Sequence, residues 1–171
     1  MPDSAKPAFY MVKANHWLTH DVDSAIYYVS IAQEWAEDQN QRDALIKAQE
    51  LEAKICYLRK NYLKAADIYE STIAKTDDDS IDKDNAESIY LYSYCLYYLG
   101  RYDEALQYIK EANNYYRIHS DTTNYALTLQ LIGEIFYETK DPLKAKEQFA
   151  SSLALSGFYT TPPIQQKTSK I

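Results

Sequence analysis

The chain has 171 residues, 46% of them hydrophobic and 25% charged, with a net charge of −7 and only three glycines and five prolines. One domain or one short repeat array of that size buries about two thirds of its unfolded surface. The scarcity of turn residues argues against an all-β chain, and the negative charge argues against a nucleic-acid partner. No run approaches the ~18 apolar residues of a membrane span, and MPDSAKPAFY lacks a charged-then-apolar signal layout. The expectation is an intracellular protein, cytoplasmic or nuclear, with no membrane partner. Cys56 and Cys95 sit inside apolar helical patterns and read as reduced core residues.

In chain order, residues 1–7 read as an N-terminal tail and residues 8–40 as a first helix pair. Its first helix is ambiguous by one residue, because Lys13 otherwise falls on a packing position. The same ambiguity follows Glu52 in the second pair, residues 41–80. His16 and His20 are four apart, a spacing that can present two imidazoles to one metal. Trp17 stands where the catalytic version of that motif carries glutamate, and two histidines near a helix end read as solvated residues complementing the dipole.

The main signal is a repeat. VDSAIYYVSIAQEW from Val22, YLKAADIYESTIAK from Tyr62, YDEALQYIKEANNY from Tyr102 and PLKAKEQFASSLAL from Pro142 align without gaps at intervals of 40. The fourth position is always alanine: Ala25, Ala65, Ala105 and Ala145. Four residues on comes a bulkier side chain (Val29, Tyr69, Ile109, Phe149), and three later a small one (Ala32, Thr72, Ala112, Ser152). That spacing marks one helical face, and a methyl at its centre lets two antiparallel helices approach within about 8–10 Å.

Each of these segments follows another helical stretch, as in AESIYLYSYCLYYLG and ALTLQLIGEIFYETK, so the unit is helix A, tight turn, helix B. Gly100 supplies a left-handed C-cap, and Asp141-Pro142 an N-cap followed by proline at the first helical position. The third and fourth pairs cover residues 81–120 and 121–155. Between the second and third lies TDDDSIDKD, residues 76–84. Counting from Asp77 for a calcium loop puts Asp82 where glycine belongs and Ser88 where the bidentate glutamate belongs, so the stretch reads as a solvated connection. Residues 156–171 lose the periodicity and read as a tail or a cap, with Phe158 and Tyr159 available to cover the end of the array.

Gly100, Tyr102, Ala105 and Ala112 in the third pair, and Gly133, Phe136, Ala145 and Phe149 in the fourth, resemble the tetratricopeptide repeat family, in its branch with a period longer than 34 residues. The resemblance implies an all-α fold, a right-handed superhelical solenoid of four antiparallel helix–turn–helix repeats over residues 8–155. LALSGFYTTPP also resembles the end of the N-terminal repeat block in anaphase-promoting-complex subunits. The resemblance further implies a concave groove lined by Tyr90, Tyr94, Tyr97 and Tyr98, joined by Gln130, Glu134 and Tyr137.

Tyrosine contributes a large apolar area and a hydroxyl at low rotamer cost, which suits a groove. The alternative is that these side chains pack as core between helices. The cationic ring with which some relatives grip a chaperone's carboxylate tail is not reproduced, since the matching positions hold Glu87, Tyr90, Leu91, Tyr94, Leu127 and Leu131. Aromatic, aliphatic or basic segments suit the groove better.

The expected function is an adaptor binding a segment of another protein. Its rival is a scaffold module that forms a homo-oligomer or docks into a larger assembly. No phosphate loop, nucleophile elbow or Cys-x-x-Cys pair occurs, and His119 has no nucleophile beside it, so neither catalysis, a metal nor a cofactor is expected. A metal-dependent enzyme would rest on His16 and His20 alone.

Overall fold

The computed structural model describes residues 1–75 and 83–157. TDDDSIDKD therefore lies outside the described residues except for Lys83 and Asp84, and so do Phe158 and Tyr159. After a short 3-10 turn at Asp3–Ala5 come eight helices: α1 (Lys6–Trp17), α2 (Val22–Asp38), α3 (Arg42–Leu58), α4 (Tyr62–Ile73), α5 (Lys83–Tyr98), α6 (Tyr102–Ile118), α7 (Thr122–Glu138) and α8 (Pro142–Gly157). No strand occurs among the described residues. The chain divides into two compact units, Met1–Tyr108 and Ile109 onward, the boundary falling within α6.

The helices are punctuated by one recurring turn. Asn40, Lys60, Gly100, Ser120 and Lys140 all have positive φ, between 52° and 74°. After α2, the Asn40 amide donates to the Glu37 carbonyl and the Gln41 amide to the Ala36 carbonyl; Lys60 and Asn61, Gly100 and Arg101, Ser120 and Asp121, and Lys140 and Asp141 repeat both bonds. This is the Schellman closure, which satisfies the orphaned carbonyls of a helix C-terminus. The carbonyl of the next residue (Gln41, Asn61, Arg101, Asp121 or Asp141) accepts the first bond of the following helix. Asn61, Asp121 and Asp141 also cap that helix by accepting from the backbone amide three residues on. A link this short makes successive helices antiparallel neighbours.

In the first unit α1 packs on α2, α2 on α3, α3 on α4 and α4 on α5. Ala14, Ala25, Val29, Leu51 and Ile55 form one buried cluster, with Met11, Trp17 and Ile26 packed against it. The two methyls bring α1 and α2 together, while Val29 reaches the next helix pair through Leu51 and Ile55. Lys13 and Glu52 sit beside this core half-buried. The Lys13 ammonium lies over the Phe9 and Tyr28 rings, and Glu52 accepts from Gln33 and Lys64.

In the second unit α7 packs on α8. Leu131, Ile135 and Ala145 are buried, and the Phe149 ring lies so close to Gly133 that a methyl there would sit 2.7 Å from it. Ser152 Oγ donates to the Ala126 carbonyl, and Asn113 Nδ2 donates to Thr128 Oγ1. Across the chain, Ala25, Ala65, Ala105 and Ala145 are all buried, none more than 2% exposed. Serine 156 and Gly157, at the start of the segment read as a tail, close α8.

Candidate functional site

Seven tyrosines of the first unit form a connected set. Tyr90 meets Tyr94 edge-on at 5.2 Å, Tyr94 stacks with Tyr98 at 6.1 Å, and Tyr98 stacks on Tyr62 at 4.3 Å. Tyr57 lies against both Tyr62 and Tyr94, while Tyr97 lies against Tyr98 and Tyr102. The set grades from inside to outside: Tyr94 is 9% exposed, Tyr57, Tyr62, Tyr90 and Tyr97 are half-buried, and Tyr98 is 51% exposed. Burial, followed by the neighbouring phenols, pushes Tyr57 up to about 12, and burial also raises Tyr62. Both are neutral hydroxyls at physiological pH, available as donors and acceptors.

Tyr92, between them in sequence, faces elsewhere. It is 1% exposed and packs edge-on against Tyr108, where burial pushes it up to about 12. In the second unit, Gln130 Nε2 donates to Glu134 Oε1 at 3.0 Å, and Tyr137 is 68% exposed.

Tyr57 and Tyr62 were not singled out in the sequence, although a signal was present. Trp17, Tyr57, Tyr97 and Tyr137 recur every 40 residues, an aromatic in the last turn of each helix A. The Tyr57–Tyr62 contact at 5.9 Å recurs one period later as Tyr97–Tyr102 at 5.8 Å.

The residues weighed for chemistry are dispersed. His16 and His20 stack at 5.2 Å, with His20 Nδ1 3.0 Å from both the His16 carbonyl and Thr19 Oγ1. Among the described residues, no group of three or more His, Cys, Asp or Glu side chains is arranged to hold a metal. His119 stacks on Tyr115. Cys56 and Cys95 are buried free thiols, and burial pushes Cys95 up to about 12, which makes it a poor nucleophile.

Residues 85–156 match the tetratricopeptide repeat family model. This stretch belongs to the tetratricopeptide repeat family. Among solved structures, the crystal structure of BtubC (BKLC) from P. vanneervenii is similar, with a TM-score of 0.79 at 13% identity over 100% of this chain and 72% of that one. The fold is thus an all-α helical-repeat solenoid. No curated protein matches the sequence significantly. Tetratricopeptide repeats generally mediate protein–protein interaction and are typically non-catalytic scaffolds. No described helix is long and apolar enough to cross a membrane.

Proposed function

We propose that this chain is an adaptor that takes up a segment of a partner protein on the tyrosine surface of its first unit. The observation that carries this reading is the connected set running from buried Tyr94 to half-exposed Tyr98. Its inner rings fix the outer ones, so little rotamer entropy remains to be lost when a partner covers them. Aromatic side chains held in this way are the residue type that dominates binding energy in protein interfaces.

The test compares immobilised wild-type and Tyr98→Ala proteins at equal density, reading retained proteins by mass spectrometry. A set held by the wild type should be lost from the variant. Stability should fall by about 1.5–4 kcal/mol, the scale of the three aromatic pairs that Tyr98 makes, so retention is compared under conditions where both proteins are folded. Equal retention by both proteins would remove the tyrosine surface from this reading.

A second reading, self-association as a scaffold module, is favoured by α8. It leaves Leu143 82% exposed and Leu153 73%, and Phe149, although its ring packs on Gly133, stays 37% exposed. The α2 residue that corresponds to Phe149, Val29, is buried in one cluster with Leu51 and Ile55 of the following helix pair. Light scattering that gives a monomer mass at every concentration would dismiss it.

A further inference from the structure

At the N-terminal end of α5, away from the exposed Tyr98, the first unit contains a cleft of about 210 Å³ walled by α1, α3, α4 and α5. Leu51 and Leu91 supply apolar wall, and Tyr69 forms part of the lining from α4. Tyr69 is 1% exposed, yet its hydroxyl has no hydrogen-bond partner among the described residues. A buried hydroxyl left bare costs about 1–3 kcal/mol, so its persistence needs a reason. Burial first, then surrounding charges that include Glu50 and Glu87, raise its pKa far above that of an ordinary phenol. It therefore stays a neutral group able to accept as well as donate.

The charges around it set the sign of what can enter. Lys47 pairs with Asp84 at 3.3 Å and Lys54 with Glu87 at 2.6 Å, which ties α3 to α5. Glu50, which accepts from Ser88 Oγ at 2.9 Å, adds a third carboxylate to the lining. Among the described lining residues, two cations face three anions, a net of −1. An incoming carboxylate would meet an excess of like charge, whereas an incoming cation would neutralise the site. Leu51 and Leu91 suit a long aliphatic stem carrying a charged head.

We infer that this cleft receives a basic side chain, arginine or lysine, from the partner segment, with its cationic head at Glu50 and the Tyr69 hydroxyl and its stem against Leu51 and Leu91. The inference rests on the adaptor reading and deepens it by naming the chemistry of one partner residue. A segment crossing α5 would present that basic residue at the Ser88 end and apolar or aromatic residues at the Tyr98 end.

The full chain, labelled with nitrogen-15, is titrated with N-acetyl-arginine amide, N-acetyl-lysine amide and the neutral isostere N-acetyl-citrulline amide. Saturable shifts at the Leu51, Ser88 and Leu91 amides are expected with at least one cation, and at least about tenfold weaker binding with citrulline. Tyr69→Phe, which keeps the ring, should weaken the cation about 2–10-fold while leaving the melting temperature equal or higher. The inference is overturned by citrulline binding equally, by no saturable shift with either cation, by unchanged binding in Tyr69→Phe, or by a clear loss of stability there, which would reveal an internal partner for the hydroxyl. Tyr98→Ala in the same titration should bind arginine like the wild type. A silent titration beside a Tyr98-dependent capture would sink the cleft alone, and the converse would sink the tyrosine surface alone.

Discussion

Two residue types carry the architecture, and one was far easier to read than the other. The alanines announce themselves, because a methyl is demanded wherever helices approach most closely. Ala25 lies within the cluster of Ala14, Val29, Leu51 and Ile55, so Ala25→Leu forces extra methylenes into a filled core. It should lower stability by about 1–3 kcal/mol in urea unfolding, against a negligible change for Lys110→Leu on an exposed face. The left-handed turn residues are the less legible set. Gly100 was visible as a cap, but Asn40, Lys60, Ser120 and Lys140 adopt the same conformation without glycine. The Schellman bonds hold them there against a left-handed penalty of about 1–2 kcal/mol each, which composition does not record. Lys60→Gly and Lys140→Gly should therefore each stabilise by about 0.5–1 kcal/mol once the greater unfolded freedom of glycine is subtracted. Gly100→Ala should cost about 1 kcal/mol from the backbone alone, since an added methyl there meets nothing within 4 Å. Urea midpoints at constant slope check all three.

At the scale of elements, the B helices and the last two A helices were legible because small and large side chains alternate on one face. The first two A helices were obscured by charge at the edge of the core. Lys13 is held over aromatic rings and Glu52 by Gln33 and Lys64, and such partners come from other helices and leave no trace in a local period. For the same reason Tyr57, Lys47, Glu50 and Lys54, all on α3, went unnoticed as candidate site residues. Helix ends make a separate, pH-dependent contribution. The Lys144 side chain, followed by its backbone amide, holds Asp141 below its ordinary value of 3.8. A depressed carboxylate contributes stability that is present above its unfolded pKa and lost as pH falls through the folded one. Asp141→Asn keeps a capping oxygen but removes the charge. The variant should lose less stability than the wild type between pH 5.5 and pH values below 3.8, as read from urea unfolding followed by circular dichroism.

At the scale of the whole molecule, a match to BtubC (BKLC) at 13% identity with a TM-score of 0.79 means that the two chains share a fold with few identical residues. The 40-residue period exposes the packing face of each helix, which is why the fold could be read from it. Periodicity reports which face packs and is silent about what a face is offered to. The same distinction governs association. A net charge of −7 keeps copies apart at neutral pH, opposing the apolar side chains left exposed along α8. As pH falls toward the sequence pI of about 4.9, the repulsion fades and the apolar attraction does not. Scattering mass should therefore rise above the monomer value on approach to that pH. Leu153→Gln leaves the charge unchanged and alters a side chain that is 73% exposed, so it should fold normally and gain less mass under the same conditions. An equal rise in both proteins would place the contact elsewhere and leave the α8 face without a role in association.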